Sequence, residues 1–192
     1  MIIKGLDIKG VYEIQFEPVY DNRGNFKRIY DDKIFSEYNL PTKWVQENHS
    51  HSTHKNTIRG LHFQFPPHSE TKLVRVINGE IYDVYVDLRN KSSTFGKWGS
   101  IILSSDNNKM ILIPRGFAHG YYTLTNNCEV LYKVDNYYNP HKESGIKWND
   151  VDLNINFPIT TSDIIISEKD SKLQTFNNFI ETYGSIKMEN DT

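Results

Sequence analysis

The stretch KLVRVINGEIYDVYVDL, residues 72–88, sets an Asn-Gly pair between two runs of alternating apolar residues. Asn-Gly in that setting is the strongest short-range hairpin signal, because both residues tolerate the positive φ of a two-residue turn. With Asn78-Gly79 as the turn, Ile77 pairs with Glu80 and the register runs outward. Lys72, Val74 and Val76 then share a face with Ile81, Asp83 and Tyr85. The opposite face carries Leu73, Ile77, Tyr82, Val84, Val86 and Leu88, with Arg75 and Glu80 as its polar members. Both faces are too apolar to be left in water, which predicts a layered or closed sheet structure.

The surrounding text reads the same way. From Val11 to Phe157 short runs of β-branched and aromatic residues alternate with polar ones and are broken by Gly, Asn, Asp and Pro, the pattern of an all-β sandwich or barrel. Helical patterning is confined to short peripheral pieces. One is DKIFSEYNL, residues 32–40; the other is SEKDSKLQTFNNFIETYGS, residues 167–185, with Ser167 as a cap before Glu168. A single domain over residues 1–192 is expected, with residues from about 170 onward as a helical or extended tail and KMENDT (187–192) frayed.

Composition narrows the function. A formal charge of −2 and scattered Lys and Arg give no basic face, so a nucleic-acid partner is not expected. The lone Cys128 cannot form an internal disulfide, and MIIKGLDIKG has only two apolar residues after Met1 before a lysine. No run approaches the roughly 18 apolar residues of a spanning helix. The expectation is a cytoplasmic protein without a membrane partner.

Lys72 and Asp83 on an otherwise apolar face mark either a solvent-exposed rim or an inward cavity lined by ionisable groups. Neighbouring strands add to the second reading. RGLHFQF (59–65) alternates with Leu61, Phe63 and Phe65 on one side and Gly60, His62 and Gln64 on the other. CEVLYKV (128–134) places Tyr132 with Val130 and Val134, and ILIPRGFAHGYYTL (111–124) ends a strand at Pro114 and delivers His119 past a glycine corner. A histidine or a tyrosine alone would be unremarkable at any of these positions; their coincidence with Lys72 is what points to chemistry.

The succession DNRGNF, VQENHS, IRGLHFQ, PPHSETKLVRVINGEIYDVYVDLR, STFGKW, LIPRGFAHGYYTL, LYKVDNYYNP, GIKWND and ISEKD, over roughly residues 10–170, closely resembles the nucleotide-sugar 3,5-epimerases typified by dTDP-4-dehydrorhamnose 3,5-epimerase. The resemblance implies a cupin-type jelly roll of two antiparallel sheets, a homodimer with shared active sites, a nucleotide-diphosphate-linked 4-keto sugar as substrate, and no metal or nicotinamide cofactor. It implies His62 as the base, Asp170 as its orienting partner, Tyr132 as the acid on the opposite face of the sugar, and Lys72 beside the developing enolate oxygen. Arg23 and Arg59 match diphosphate-contacting positions, and Phe26, Gln46, Asn48 and Tyr138 match residues around nucleotide and pyranose. Asp83 and His119 match polar residues of the cavity. Strict alternation would put Arg59 opposite His62, so a bulge at Gly60 is required. The chain departs from the family pattern in RGNFKRIY, with Asn25 where an aromatic is common and Arg28 at the usual glutamate. That departure leaves a GDP- or CDP-linked sugar as an alternative; inversion at C3 alone is another, which sequence spacing does not decide.

Two other classes compete. A metal-dependent cupin would use a His-x-His pair, but the sequence reads His62-Phe63-Gln64; the histidines of HSHSTH (49–54) are expected on a surface loop. A non-catalytic sugar-nucleotide binder would keep the arginines and aromatics with no use for His62, Asp170 and Tyr132 together.

Overall fold

The structure is a computed structural model and describes residues 1–188; of the KMENDT segment, residues 189–192 lie outside the described residues. Two antiparallel sheets face each other. The first runs in the order β1 (Ile2–Gly5), β2 (Tyr12–Gln15), β10 (Lys109–Ile113), β7 (Lys72–Asn78), β12 (Cys128–Val134) and β5 (Gln46–Ser52). The second runs β13 (Glu143–Gly145), β6 (Thr57–Gln64), β11 (Phe117–Thr123), β8 (Glu80–Asp87) and β9 (Trp98–Ser104), with β14 (Ile165–Ile166) added in parallel to β6. A separate hairpin is formed by β3 (Val19–Asp21) and β4 (Gly24–Phe26). This is the cupin-type jelly roll implied by the resemblance.

The hairpin expected at Asn78-Gly79 does not form. β7 pairs with β10 and β12, whereas β8 pairs with β11 and β9, so the chain changes sheets at Gly79 instead of folding back on itself. Gly79 has φ +79°, and a Cβ there would meet Thr125 Oγ1 at 2.6 Å and Cys128 Sγ at 2.9 Å. A sheet-to-sheet corner needs the same backbone freedom as a two-residue turn, which is why the local signal was ambiguous. The face assignment nevertheless holds. Val74, Val76, Ile81 and Tyr85 all pack in one cluster between the sheets, with Leu103, Ile111, Ile113 and Phe117.

The outer faces are also covered. Leu73, Met110 and Leu112 pack under Phe35 of α1 (Asp32–Glu37), while Val84, Val86, Leu61 and Phe63 pack under Phe176 and Phe179 of α3 (Phe176–Tyr183). Each such fully buried side chain contributes on the order of 1.5–3 kcal/mol relative to exposure, so both faces of both sheets are anchored. The helical expectation over 167–185 is corrected to two helices: α2 (Glu168–Ser171), capped by Ser167, and α3, capped by Thr175. The cap at Thr175 accepts from the Asn178 N–H and starts the second helix. His49 and His51, expected on a loop, lie exposed on the edge strand β5.

Candidate active site

The interior between the sheets is apolar over part of its length and opens elsewhere into a cavity of about 960 Å³. That lies at the upper end of the ~300–1,000 Å³ typical of ligand sites. An inner bay of about 240 Å³ shares His62, Lys72, Tyr132, Tyr138 and Glu143 with it. Tyr121 and Tyr132 sit at the border, packing on the apolar interior and lining the cavity.

His62 reaches the cavity because of an irregularity one residue upstream. On β6 the register against β11 pairs His62 with His119 and Arg59 with Tyr121, so Gly60 and Leu61 together oppose Gly120. The bulge lets Ile58 and Leu61 both enter the outer core while Arg59 and His62 both line the cavity. Gly60 is at φ +107°, and a Cβ there would meet the His119 carbonyl oxygen at 2.7 Å and Gly120 Cα at 2.8 Å. Only glycine fits.

The same bulge exposes the Gly60 N–H to a partner. The chain arrives alongside β6 as β14, with Ile165 opposite Thr57 and Ile166 opposite Ile58, and turns into α2. Asp170 then accepts from Gly60 N at 2.9 Å with one oxygen and bonds His62 Nε2 at 2.8 Å with the other. Burial pushes the Asp170 carboxyl up, but the bonds from His62 and the Gly60 N–H outweigh it and hold the group below its ordinary range. A carboxylate against Nε2 makes that nitrogen the N–H, leaving Nδ1 as the acceptor nitrogen of the neutral ring.

His119 is held in the same way from below, its Nε2 bonded to Asp83 Oδ2 at 2.8 Å. Asp83 is completely buried and does not line the cavity, whereas the resemblance implied a place among the polar residues of the cavity. Its contact with the cavity wall runs through His119. Its Oδ1 has no hydrogen-bond partner among the described residues, and burial raises its carboxyl against the opposing pull of His119 and Lys72.

The facing sheet supplies Asn48 from β5, Lys72 from β7 and Tyr132 from β12; Tyr132 lies directly opposite Asn48 in the ladder. The imidazole of His62 and the phenol of Tyr132 thus rise from opposite sheets into one space. Arg59 is steadied by Ser52 Oγ at 3.1 Å and the His51 carbonyl at 2.9 Å. Gln46 lines the inner bay and accepts from the Tyr138 N–H at 2.7 Å.

Tyr138 donates to Glu143 Oε2 at 2.7 Å, which together with burial pushes its phenol up to about 12. Lys169 donates to the same oxygen at 2.6 Å. Glu143, Lys169, Tyr121 and Ser50 line the cavity but were not singled out in the sequence. Lys169 could have been found from its place beside Asp170; Glu143 carries no local signal.

Arg23 and Phe26 do not line the cavity. They sit on the β3–β4 hairpin, Phe26 72% exposed and Arg23 paired with Asp21 at 2.6 Å. Arg28 is likewise turned to Asp31, at 3.0 Å.

A model of the dTDP-4-dehydrorhamnose 3,5-epimerase family matches residues 5–178. The chain belongs to that family. It is therefore an isomerase of the epimerase type. Among similar proteins, the dTDP-4-dehydrorhamnose 3,5-epimerase of Escherichia coli (strain K12) is 44% identical over 161 residues, covering 83% of this chain and 86% of its own. The crystal structure of the Bacillus anthracis dTDP-4-dehydrorhamnose 3,5-epimerase, with TDP and PPi bound, superposes with a TM-score of 0.87 at 41% identity, covering 91% of this chain and 98% of the other. That of the dTDP-6-deoxy-D-glucose-3,5-epimerase of Legionella pneumophila, in complex with dTDP-4-keto-L-rhamnose, gives 0.86 at 36% identity, covering 92% and 93%.

Among the described residues no helix is long and apolar enough to cross a membrane, and no group of three or more His, Cys, Asp or Glu is arranged to hold a metal ion.

Proposed function

We propose that the protein inverts C3 and C5 of dTDP-4-dehydro-6-deoxyglucose to give dTDP-4-dehydrorhamnose, as a homodimer and without metal or nicotinamide. The observation that carries this reading is the pairing of an oriented imidazole on one wall with a phenol on the other: His62, bonded to Asp170 at 2.8 Å, across the cavity from Tyr132. Epimerisation requires a proton to leave one face of a carbon and another to arrive on the opposite face.

The C4 ketone acidifies the hydrogens on C3 and C5, and Nδ1 of His62 takes one of them, forming a C4 enolate. Lys72 supplies positive charge to the enolate oxygen. Tyr132, through its phenol O–H, donates to the opposite face of the same carbon. Exchange with solvent returns a proton to Tyr132 and removes one from His62, and the second carbon follows. Arg59 takes the diphosphate, for which the guanidinium fork is suited. The hairpin carrying Arg23 and Phe26 stands away from its own cavity, which fits an arm that completes the site of a second copy.

The test is proton NMR in deuterated buffer containing a chelator, with the same 4-keto sugar linked to dTDP, GDP and CDP. The expected result is deuterium at both C3 and C5 of the dTDP sugar, faster than for the other two. Exchange at C3 alone, faster exchange on GDP or CDP, or activity restored only by a divalent ion would each overturn the corresponding part of the proposal.

A further inference from the structure

Lys72 is nearly buried and its ammonium is not free: it pairs with Glu70 Oε1 at 2.9 Å, and the two side chains are only 11% and 10% exposed. The other oxygen of Glu70 accepts from Gln64 Nε2 at 2.6 Å. Gln64 is 3% exposed and lies on β6, two residues beyond His62. Its amide orientation follows from its partners. Oε1 faces the Asn139 N–H at 2.7 Å, which can only donate, so the nitrogen must be the atom that meets Glu70 and the His68 carbonyl oxygen, at 3.0 Å.

The chain of donors and acceptors is therefore forced. Gln64 gives a hydrogen to Glu70, and Lys72 gives another. A carboxylate, with two acceptor oxygens, is the one side chain of this length that satisfies both. Resting on the epimerase reading above, we propose that Gln64 and Glu70 are positioning residues that hold the Lys72 ammonium at the enolate oxygen, so that the strand carrying the base also fixes the cation on the facing sheet. The two elements needed in one transition state are thereby set relative to each other, through a link of two hydrogen bonds.

Other polar groups near Lys72 do not replace this link. Asp83 interacts with its charge from beneath His119, while His62, Tyr132 and Glu143 share the bay with it, and no hydrogen bond from Lys72 to any of them is present. Next along the chain, Thr71 is tied by its N–H to Asp135 at 2.7 Å, which steadies the backbone of the segment and leaves the side chain of Lys72 to Glu70.

The test is a double-mutant cycle read by steady-state kinetics and deuterium exchange on dTDP-4-dehydro-6-deoxyglucose. Glu70→Gln is isosteric but offers one acceptor to two donors. It is expected to lower kcat about ten- to a hundredfold, the size of a lost bond to a charged group, while KM changes less than about threefold because the link acts in the transition state. Gln64→Leu is expected to do the same, with thermal melts as the control for folding. In a Lys72→Met background neither substitution should cost anything further, since the group they position is gone. An unchanged kcat for Glu70→Gln, or equal losses in both backgrounds, overturns the proposal and makes the cluster a support for the loop only. Wild-type protein that gives no exchange overturns the epimerase reading, and this inference with it.

Discussion

Replacing Asp170 by Asn is the sharpest test of the base assigned here, because the structure dictates how the amide must sit. Asp170 faces two groups, the Gly60 N–H at 2.9 Å and His62 Nε2 at 2.8 Å. The backbone N–H can only donate, so the single oxygen of Asn must turn to Gly60, and its NH2 must face His62. Nε2 then becomes an acceptor, and the proton moves to Nδ1, the nitrogen that has to be bare to attack a carbon acid. Shape and volume are preserved while the tautomer is inverted. The same inversion in a Ser-His-Asp triad costs about 10⁴ in kcat, so a loss of about 10³–10⁴ is expected here, roughly 4–5.5 kcal/mol of barrier. Deuterium incorporation at C3 and C5, followed by proton NMR, measures it, and a thermal melt close to that of the wild type shows that the fold persists. Asp170→Asn within tenfold of the wild-type exchange rate would mean that His62 is not the base or that Asp170 does not set its tautomer.

Tyr132→Phe should leave proton abstraction by His62 in place and impair delivery from the other face; in heavy water, substrate recovered with deuterium but unchanged configuration is the expected outcome, and normal product formation contradicts the assignment. The lowered carboxyl of Asp170 predicts a stability term that is full above its unfolded value near 3.8 and is lost as pH falls through the lower folded value. Denaturant unfolding between about pH 5 and about pH 3 should therefore show a shallower acid dependence for Asp170→Asn than for wild type. Gly60→Ala forces a Cβ into the His119 carbonyl at φ +107°, and should lower the melting temperature by roughly 3–10 °C and depress activity by shifting His62. If the hairpin serves a second copy, mixing Arg23→Ala with His62→Ala protein should recover activity up to roughly a quarter of the wild-type sites, through dimers that contain one intact site; no recovery on mixing would place the hairpin outside the neighbour's site.

Much of the site was legible because strand alternation is local. The pleat assigns Lys72, Val74 and Val76 to one face and Leu73 to the other whatever those strands pair with. That is why the inward set survived although Asn78-Gly79 proved to be a corner between sheets. The bulge at Gly60 could be inferred from the need to bring Arg59 and His62 to one side, and the β6–β11 register contains it. By contrast, nothing near Asp83 in sequence shows that it lies beneath His119, and nothing near Glu143 shows that Tyr138 and Lys169 converge on it. His119 and Lys169 come from elements distant along the chain, and Tyr138, though only five residues from Glu143, lies in an irregular segment with no periodicity to read.

Periodicity by itself determined a layered β protein, and the resemblance carried by the motifs implied the two-sheet epimerase fold and pointed to the imidazole, the phenol and the lysine. Only the tertiary structure decided which sheet each stands on, which groups touch the cavity and which stand behind it, and that Glu70 and Gln64 tie the lysine to the strand of the base. The physical reason is that a side chain's face is set by its neighbours within two residues, whereas its hydrogen-bond partner depends on the path of the folded chain, whether that partner is Glu70, two residues before Lys72, or Asp170, 108 residues beyond His62.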